Sequence, residues 1–463
     1  MVKSDQIFRG IFMNKYDVKE FYLKMTGKSF QSQYEQINKI RNKEELDRFQ
    51  DKRLEELLIH ASKNSRYYKD LLKNIDLEKV TDTEVFSQIP VLTKDIIRSQ
   101  LKNITSVDAQ TRGCFYNTSG GSTGEPLRFI QDQPYTLWAN ATNFYYYQNI
   151  LDINGFAAKK ILLWGSERDL LMKHRNFSGR FANWVNNAQF LNSFKMKAQD
   201  MDRYADTINS FKPEIIRGYA SSLYDFSKYL DQNHKKIYSP RYVVSTAEPL
   251  RNQMREMIEK VMKTKVYNFY GSREIASLAG ECQEGLLHYF PFYTKCEVLD
   301  DNNNPVKEGE EGRIVVTNLF NYSMPLIRYE IGDMAVLGPE TCECGSYLPT
   351  LESVTGRITD QFTLEDGSKV PGEFFIHMIG VVCNQGYIRK FQIIQEDYNE
   401  LRMRVVPEGE IPSDYIKEVN HKLKTVMGDD CTIEWDFVDD IKKTTSGKYL
   451  YTISRLTKNQ DKN

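Results

Sequence analysis

The first hundred residues combine a polar background with apolar positions at helical spacing. Leu54, Leu57, Leu58 and Ala61 lie at positions i, i+3, i+4 and i+7, which places them on one face of a helix. This pattern predicts a mainly helical N-terminal segment that contains an amphipathic helix.

From about residue 110 to residue 340, short apolar runs alternate with helical patterns. Apolar runs of this length predict buried strands. The predicted strands are 161–164, 215–216, 242–244 and 266–269, followed by a hairpin-like pair at 295–299 and 312–319. Strands separated by helices predict an α/β fold with a layered sheet.

The last hundred residues show a third pattern, in which two alternating runs precede a helix and another alternating run. The predicted elements are paired strands at 391–395 and 401–406, a helix at 416–426 and a strand at 433–437. A β-β-α-β unit of this size predicts a small α+β domain. We therefore expect a large domain at 1–355, a hinge at 356–361 and a small domain at 362–463.

Composition and charge narrow the class of protein. The chain has 463 residues, of which 27% are charged, and its 62 Lys and Arg residues balance 63 Asp and Glu residues. A net charge near zero argues against nucleic-acid binding by bulk counterion release. No run is long and apolar enough to span a membrane, and the N-terminus lacks the apolar core of a signal peptide. We therefore expect a cytoplasmic protein without a membrane span.

A glycine-rich segment at 118–126, with the sequence TSGGSTGEP, offers backbone N–H groups and hydroxyls in a loop that can bend sharply. Such a loop can wrap phosphate oxygens. It is not a Walker loop, because Glu125 stands where that motif needs lysine, and its glycine spacing does not fit a dinucleotide fingerprint. Taken alone, the segment fits a phosphate-binding loop and a flexible surface turn equally well.

Five further motifs follow this loop in order. They are AEPL at 247–250, YGSRE at 270–274, RYEIGD at 328–333, GRITD at 356–360 and KTTSGK at 443–448. Together with the loop, they resemble the signatures of the adenylate-forming superfamily, which includes acyl-CoA synthetases, nonribosomal-peptide adenylation domains and luciferases. The chain most resembles the phenylacetate–CoA ligase branch and its relatives from capsular polysaccharide loci.

The resemblance implies a large α/β domain followed by a small mobile one. It also implies ATP-dependent adenylation of an aryl or acyl carboxylic acid and transfer of the acyl group to the CoA thiol. The implied cofactors are ATP, Mg²⁺ and CoA. Lys448 would bridge the carboxylate and the α-phosphate, and Glu274 would bind Mg²⁺. The other implied nucleotide-binding residues are Ser119, Gly120, Gly121, Ser122, Thr123 and Gly124 around the phosphates, Glu248, Tyr270 and Gly271 near the adenine, Asp333 at the ribose, and Arg357 at the ribose or a phosphate.

Outside their motifs, several of these residues have ordinary structural interpretations. Asp333 and Lys448 could be surface charges, Tyr270 could be a core residue, and Glu274 could be an acid at the start of a predicted helix. The chain departs from the family pattern in a few places, of which Arg273 matters most. Arg273 stands where Ser or Thr is usual, and it could bind phosphate or alter the acyl site.

Four residues have the composition of a metal site. Cys282 lies six residues before His288, and Cys342 and Cys344 lie together before a glycine. Three thiolates and one imidazole are a common structural zinc set, and the phenylacetate–CoA ligase branch resembles the chain here too. A structural Zn²⁺ and four unmetallated residues are both open. The remaining cysteines, Cys114, Cys296, Cys383 and Cys431, are expected to be lone buried thiols.

No motif identifies the acid-binding pocket. The aromatic run at 143–147 could line a pocket or form the buried side of a helix. Trp164 and the segment 217–219 end predicted strands, where open α/β sheets bind ligands. None of these segments contains a residue that clearly marks an amino acid or a diacid as the substrate.

Three hypotheses for the function remain open. The first is a CoA ligase. The second is an adenylate-forming enzyme of capsular or surface polysaccharide biosynthesis that transfers its acyl group to a sugar or to a carrier thiol. These two differ only in the acceptor, and Lys369, Arg389 and Lys390 are candidate contacts for CoA. The third is a nucleotide-binding relative without catalysis. We expect a small-molecule acid and its acceptor as partners, no nucleic acid, and a monomer or homodimer.

Overall fold

The computed structural model describes most of the chain. The described residues are 15–118, 127–155, 157–164, 187–193, 196–248, 250–356, 362–365, 369–370, 372–379, 383, 385–441 and 451–456. The predicted phosphate-binding residues at 119–124 lie outside these ranges, as do Arg357 and Lys448, so their roles stay predictions.

Helices account for most of the first hundred residues, as the apolar spacing predicted. The helices are α1 (Lys15–Met25), α2 (Gln31–Asn38), α3 (Lys43–Asn64), α4 (Arg66–Leu71), α5 (Thr83–Ser87), α6 (Lys94–Ile104), α7 (Gln133–Tyr145), α8 (Ala198–Phe211), α9 (Ala220–Gln232), α10 (Asn252–Met262), α11 (Gly372–His377) and α12 (Ser413–Met427). A π-helical turn (Tyr146–Ile150) continues α7, and short 3-10 helices lie at Leu77–Lys79 and Ala109–Arg112. In the described part of the chain, no helix has both the length and the apolar character needed to cross a membrane.

The amphipathic helix predicted around residue 57 is α3. Its four stripe residues are fully buried. Asn42 caps the helix, because its side chain accepts a hydrogen bond from the Glu45 backbone N–H at 2.9 Å. The Glu45 carboxylate accepts a hydrogen bond from the Arg41 N–H at 2.8 Å, so two backbone donors at the helix entrance are satisfied.

Strands follow in the order that the apolar runs predicted, with several short additions. The strands are β1 (Phe115–Thr118), β2 (Arg128–Gln131), β3 (Lys160–Trp164), β4 (Ala188–Asn192), β5 (Ile215–Tyr219), β6 (Tyr242–Thr246), β7 (Val266–Tyr270), β8 (Ala279–Glu281), β9 (Leu287–Tyr289), β10 (Thr294–Leu299), β11 (Glu311–Asn318), β12 (Tyr329–Leu337), β13 (Thr350–Gly356), β14 (Phe362–Thr363), β15 (Lys369–Val370), β16 (Ile388–Asp397), β17 (Glu400–Pro407), β18 (Thr432–Phe437) and β19 (Thr452–Ser454).

The largest sheet has eleven strands in the order β10-β11-β12-β13-β9-β8-β7-β6-β5-β3-β4. Strands β3 to β7 pair in parallel, whereas the strands from β8 to β13 pair with antiparallel neighbours. The predicted α/β class is confirmed. The antiparallel half extends the layered sheet beyond what the alternation of strands and helices indicated.

Helices α8, α9 and α10 supply much of the core on one face of the parallel strands. Ile161, Leu163, Ile216 and Val243 point from the sheet into this cluster. All five residues of β6 are buried, as expected for a central parallel strand that is covered on both faces. The side chains that alternate with this cluster therefore project from the opposite face.

The chain divides into two compact units. The first consists of residues 1–93, 102–114 and 131–356, and the second of residues 94–101, 115–130 and 357–463. The second unit thus includes two segments from the first third of the chain, which the linear division at residue 355 did not assign to it. The hinge role of residues 356–361 stays a prediction.

The C-terminal part of the second unit contains the predicted β-β-α-β arrangement. Strands β16 and β17 form an antiparallel hairpin, and β18 pairs in parallel with β17 after α12. A fourth strand, β19, pairs with β16 and was not predicted, because three residues are too few to show a period. Buried residues from the sheet and from α12, including Phe391, Met403 and Leu423, pack in one core.

Candidate functional site

A tight turn follows β7 and contains the YGSRE motif. A side chain at Gly271 would place its Cβ 1.7 Å from the Ala276 carbonyl oxygen, so only glycine fits this backbone. The Ser272 hydroxyl accepts a hydrogen bond from the Ile275 N–H at 3.2 Å. The interpretation that Glu274 begins a helix is wrong, since this residue lies within the turn.

Two hydrogen bonds join this turn to the RYEIGD motif on β12. The Tyr270 hydroxyl donates to Asp333 Oδ2 at 2.7 Å, and the Tyr329 hydroxyl donates to Glu274 Oε1 at 3.2 Å. The residues of each pair are more than fifty positions apart in the sequence. The fold therefore brings together the side chains that the motifs predicted for adenine, ribose and Mg²⁺.

Glu274 is held from two sides. Its backbone carbonyl accepts hydrogen bonds from the Tyr135 hydroxyl at 3.2 Å and from Gln131 Nε2 at 3.3 Å. Its side chain is 4% exposed, and no Lys or Arg among the described residues forms an ion pair with it. A buried carboxylate without a cationic partner is costly, so the residue fits a bound cation such as Mg²⁺.

Arg273, the departure from the family pattern, has an exposed side chain. Its backbone carbonyl accepts a hydrogen bond from Gln131 Nε2 at 2.8 Å. The backbone of the turn is therefore fixed from within the fold while the side chain of this arginine points outward.

Glu248 lies beside the start of α9. Its Oε2 accepts a hydrogen bond from the Ser221 backbone N–H at 2.8 Å, in the first turn of the helix. Burial raises the pKa of Glu248, and the hydrogen bonds from Ser221 lower it in part. The structure thus gives this residue a role in the local fold, and its predicted contact with adenine stays a prediction.

The four predicted metal ligands form one cluster. The Cys282, His288, Cys342 and Cys344 donor atoms all lie within 4.8 Å of one another. Two thiols that bind one zinc ion at about 2.3 Å in tetrahedral geometry would be about 3.8 Å apart, and Cys282 Sγ lies 3.7 Å from Cys342 Sγ. His288 Nδ1 lies 2.8 Å from the Leu348 carbonyl oxygen, which leaves Nε2 to face Cys344 Sγ at 3.2 Å.

The thiols of this cluster compete for ionisation. Burial alone raises the pKa of Cys282, yet hydrogen bonding to His288 and to nearby backbone groups brings it to about 6. Burial raises the pKa of Cys344 to about 12, with smaller contributions from its two neighbouring cysteines. Three thiolates at these distances need a cation between them, and this donor set fits Zn²⁺.

The remaining cysteines only partly match their prediction. Cys383 and Cys431 are buried, whereas Cys114 and Cys296 are half-buried, so the expectation of full burial is wrong for the latter two.

The aromatic run at the end of α7 is mainly core. Tyr146 is fully buried, and its hydroxyl donates to the Glu281 carbonyl oxygen at 3.1 Å. Phe144 packs edge-on against Tyr34 with ring centroids 4.6 Å apart. Tyr147 differs, because its hydroxyl accepts a hydrogen bond from Arg217 Nη1 at 3.2 Å.

The candidate CoA contacts are engaged within their own unit. Lys390 Nζ lies 2.7 Å from Asp440 Oδ1, and Arg389 Nη2 donates to the Asp439 carbonyl oxygen at 3.3 Å. The Lys369 side chain lies outside the described residues. A role for these residues in binding CoA stays a prediction.

Sequence reasoning did not identify the residues that support Glu274. Tyr329 lies inside a recognised motif, between Arg328 and Glu330, and this position was the available signal. Tyr135 and Gln131 carry no such signal, because each contacts Glu274 from more than 130 positions away.

Comparisons with known proteins agree with this geometry. The CapK C-terminal domain family matches residues 362–455. Protein CapK of Staphylococcus aureus is 25% identical over 93% of this chain and 95% of its own length. Phenylacetate-coenzyme A ligase of Thermus thermophilus is 24% identical over 82% of this chain and 87% of its own.

A solved structure shares the fold. It is 2-hydroxyisobutyryl-CoA ligase in complex with 2-HIB-AMP and CoA in the thioesterification state. It aligns with a TM-score of 0.59 and 18% identity, over 90% of this chain and 91% of its own.

These findings define the class first: the chain has the fold of an adenylate-forming ligase, and relatives of that class match most of its length. Within the class, the predicted resemblance is confirmed, since the chain is homologous to CapK and to phenylacetate-coenzyme A ligase.

Proposed function

We propose that the chain activates a carboxylic acid with ATP and Mg²⁺, releases pyrophosphate, and passes the acyl group from the adenylate to the thiol of CoA. One observation carries the proposal. Tyr270 and Glu274 of one motif are hydrogen-bonded to Asp333 and Tyr329 of another, so the predicted nucleotide and metal ligands face one place on the sheet.

The carboxylate of Asp333 suits the ribose. The Tyr270 hydroxyl donates to Oδ2, and a carboxylate with two oxygens is a group that can accept hydrogen bonds from both ribose hydroxyls. The same hydrogen bond fixes the Tyr270 ring, which is predicted to flank the adenine.

Glu274 would hold Mg²⁺ together with phosphate oxygens. When bound, the ion would reduce the repulsion between the acid's carboxylate and the triphosphate. The turn and the hydrogen bond from Tyr329 orient the carboxylate in advance. The loop at 119–124 would contact the phosphates, and Arg357 the ribose or a phosphate.

Lys448 would carry the charge that joins the acid and the α-phosphate. A flexible ammonium suits this bridging position. Lys448→Ala is expected to slow adenylation by about 10²–10³-fold, by analogy with single transition-state donors. Wild-type adenylation in this variant would show that the lysine is misassigned.

The first experiment measures pyrophosphate release from ATP and Mg²⁺ across a panel of carboxylic acids, with and without CoA. Release that depends on an acid and increases with CoA supports the proposal and names the acid class. Release with hydroxylamine but no response to CoA points to another acceptor. No release with any acid, although ATP binds, contradicts the proposal and favours a relative without catalysis.

The likeness to CapK supports a second candidate for the acceptor. This relative matches nearly the full chain, and residues 362–455 match the CapK C-terminal domain family. The acceptor would then be a sugar amine, a sugar hydroxyl or a carrier thiol in surface polysaccharide biosynthesis. Transfer of a radiolabelled acyl group to an amino sugar, in the absence of CoA, would distinguish it from the CoA reaction.

We also propose that Cys282, His288, Cys342 and Cys344 hold a structural Zn²⁺. Four protein ligands leave no open position for catalysis. Metal analysis of the purified protein should give about one Zn²⁺ per chain, and Cys342→Ser should lose it. Cys296→Ser is the matched control, since that half-buried thiol lies outside the cluster. Equal and low zinc in all three proteins would contradict the site.

A further inference from the structure

Arg217 is the middle residue of β5 and lies on the sheet face opposite the main helical core. Ile216 packs into the core cluster, so its neighbours Arg217 and Tyr219 project from the other face. The Arg217 guanidinium carbon lies 4.6 Å from the Phe269 ring centroid, and Nη1 donates to the Tyr147 hydroxyl. The half-buried side chain therefore lies against two aromatic residues.

This guanidinium has no counter-ion among the described residues. Its Nε is buried there without a hydrogen-bond partner, and Tyr147 satisfies only one of its five N–H donors. A cation–π contact offsets only part of the cost of taking such a charge out of water. A protein keeps an arrangement of this kind most readily where a ligand supplies the missing anion.

A second cation lies on the same face. Lys160, at the start of β3, lies with its Nζ 5.1 Å from the Tyr147 ring centroid and donates to the Gly155 carbonyl at 2.6 Å. Burial, followed by the charges of Lys19 and Arg217, lowers the pKa of Lys160 to about 7. No described carboxylate forms an ion pair with it, so this face carries an excess of positive charge.

The position of Arg217 relates it to the candidate nucleotide site. Phe269, which it covers, directly precedes Tyr270. Tyr219 follows on the same face and packs against Trp164 with ring centroids 4.7 Å apart. Two residues later, the Ser221 N–H donates to Glu248. Tyr270 ends β7, and a molecule that reacts at this end of the strand and extends along the face that carries Phe269 would bring its far end to Arg217.

We propose that Arg217 selects the acid: the substrate carries, besides the carboxylate that is adenylated, a second anionic group that pairs with this guanidinium between Tyr147 and Phe269. The inference rests on the proposed adenylation and adds the substrate class to it. A dicarboxylic acid is the simplest member of the class, because a carboxylate and a guanidinium form two parallel hydrogen bonds.

Matched pairs of acids test this assignment. Each pair differs by a terminal carboxylate: pentanoic and glutaric acid, hexanoic and adipic acid, phenylacetic and 4-carboxyphenylacetic acid. ATP–pyrophosphate exchange gives kcat/KM for each acid with the wild type, Arg217→Met and Arg217→Lys. Lys159→Met is the control, since it removes a neighbouring cation that is exposed.

We expect the wild type to prefer the anionic member of at least one pair. Arg217→Met should lose about tenfold to a hundredfold in kcat/KM for that acid, as for a charged hydrogen bond, while its neutral partner is unaffected or improved. Arg217→Lys should retain part of the preference, and Lys159→Met all of it.

Two outcomes overturn the inference while the proposed function stands. One is wild-type preference for the neutral acid of every pair. The other is an equal loss on both members of a pair in Arg217→Met, which indicates a structural role. If none of the acids supports ATP–pyrophosphate exchange, the proposed function itself is contradicted, and the substrate class is rejected with it.

Discussion

Two arginines of the first unit, the buried Arg328 and the half-buried Arg217, are held in opposite ways. Arg328 is 2% exposed, and its Nε and Nη2 donate to the two carboxylate oxygens of Glu297 at 3.1 and 3.0 Å. Its Nη1 donates to the Ser87 and Ile89 carbonyl oxygens at 2.7 and 2.6 Å. Among the described residues, the Arg217 guanidinium has one hydrogen bond, to the Tyr147 phenol, and one cation–π contact, with the Phe269 ring.

The difference indicates a structural role for one arginine and a functional role for the other, and this assignment is the reverse of what the motifs predict. Arg328 belongs to a recognised motif, yet every contact it makes is internal, and it fixes the chain just before Tyr329. Arg217 belongs to no motif, yet its charge is left unbalanced by the described residues. Arg328, which belongs to a motif, therefore supports the site. Arg217, which lies outside the motifs, is the candidate for binding the substrate.

In this comparison of the two arginines, the largest effect on the free energy of unfolding is expected for Arg328→Met. The change leaves the Glu297 carboxylate buried without its partner, and burial already raises the pKa of that carboxyl despite Arg328. Urea unfolding should show a loss of about 3–5 kcal/mol in the free energy of unfolding. The double variant Glu297→Met/Arg328→Met should recover much of it. No recovery would mean that the carbonyl contacts, not the ion pair, dominate.

Lys160 provides a smaller, pH-dependent test. Its pKa is about 7 in the folded protein, below the usual value for lysine, so the unfolded chain binds more protons between pH 7 and about 10. The free energy of unfolding should therefore rise over this range through Lys160, on the order of 1–3 kcal/mol. Lys160→Met should lack this rise. Parallel curves for both proteins would show that the amine remains charged, by pairing with Glu214 or another group.

The smallest effect on stability is expected for Arg217→Met. No described carboxylate loses its partner in this variant, and a half-buried charge that the described residues leave unbalanced disappears. The free energy of unfolding should stay within about 1 kcal/mol of the wild type or increase. A loss as large as that of Arg328→Met would break the comparison, because it would show that Arg217 is already paired in the folded protein.

The sequence predicts the fold wherever the apolar period is long enough. The parallel strands β3, β5, β6 and β7 contain apolar runs, with two to five buried residues in each strand. Strand β4 was not predicted, because its sequence, AQFLN, has one buried residue. The helix expected at Glu274 was wrong because Gly271 and Ser272 form a tight turn, and local sequence does not distinguish that turn from a helix start.

The candidate site likewise contains residues that the sequence predicts and residues that it does not. The motifs predicted Tyr270, Glu274, Asp333 and the four Cys/His residues, because their chemistry is read from residue type and order. The absence of a counter-ion for Arg217 among the described residues has no signature in the sequence itself. It depends on which residues of distant elements face β5, and only the fold determines that.

Glu274 is proposed to bind the metal of an adenylation reaction. A comparison of Glu274 with Glu281 tests this assignment most directly. Glu281 is equally buried but pairs with Arg255 at 2.9 Å and accepts a hydrogen bond from the Asn268 N–H at 2.6 Å. ATP–pyrophosphate exchange would be measured for wild type, Glu274→Gln and Glu281→Gln, per folded molecule and across Mg²⁺ concentrations.

Glu274→Gln is expected to lower the rate of ATP–pyrophosphate exchange by about 10²-fold or more and to raise the Mg²⁺ concentration needed for half-maximal rate. Glu281→Gln should be less stable but should exchange at close to the wild-type rate. Equal rates and equal Mg²⁺ dependence in the two variants would contradict the assignment of the metal to Glu274.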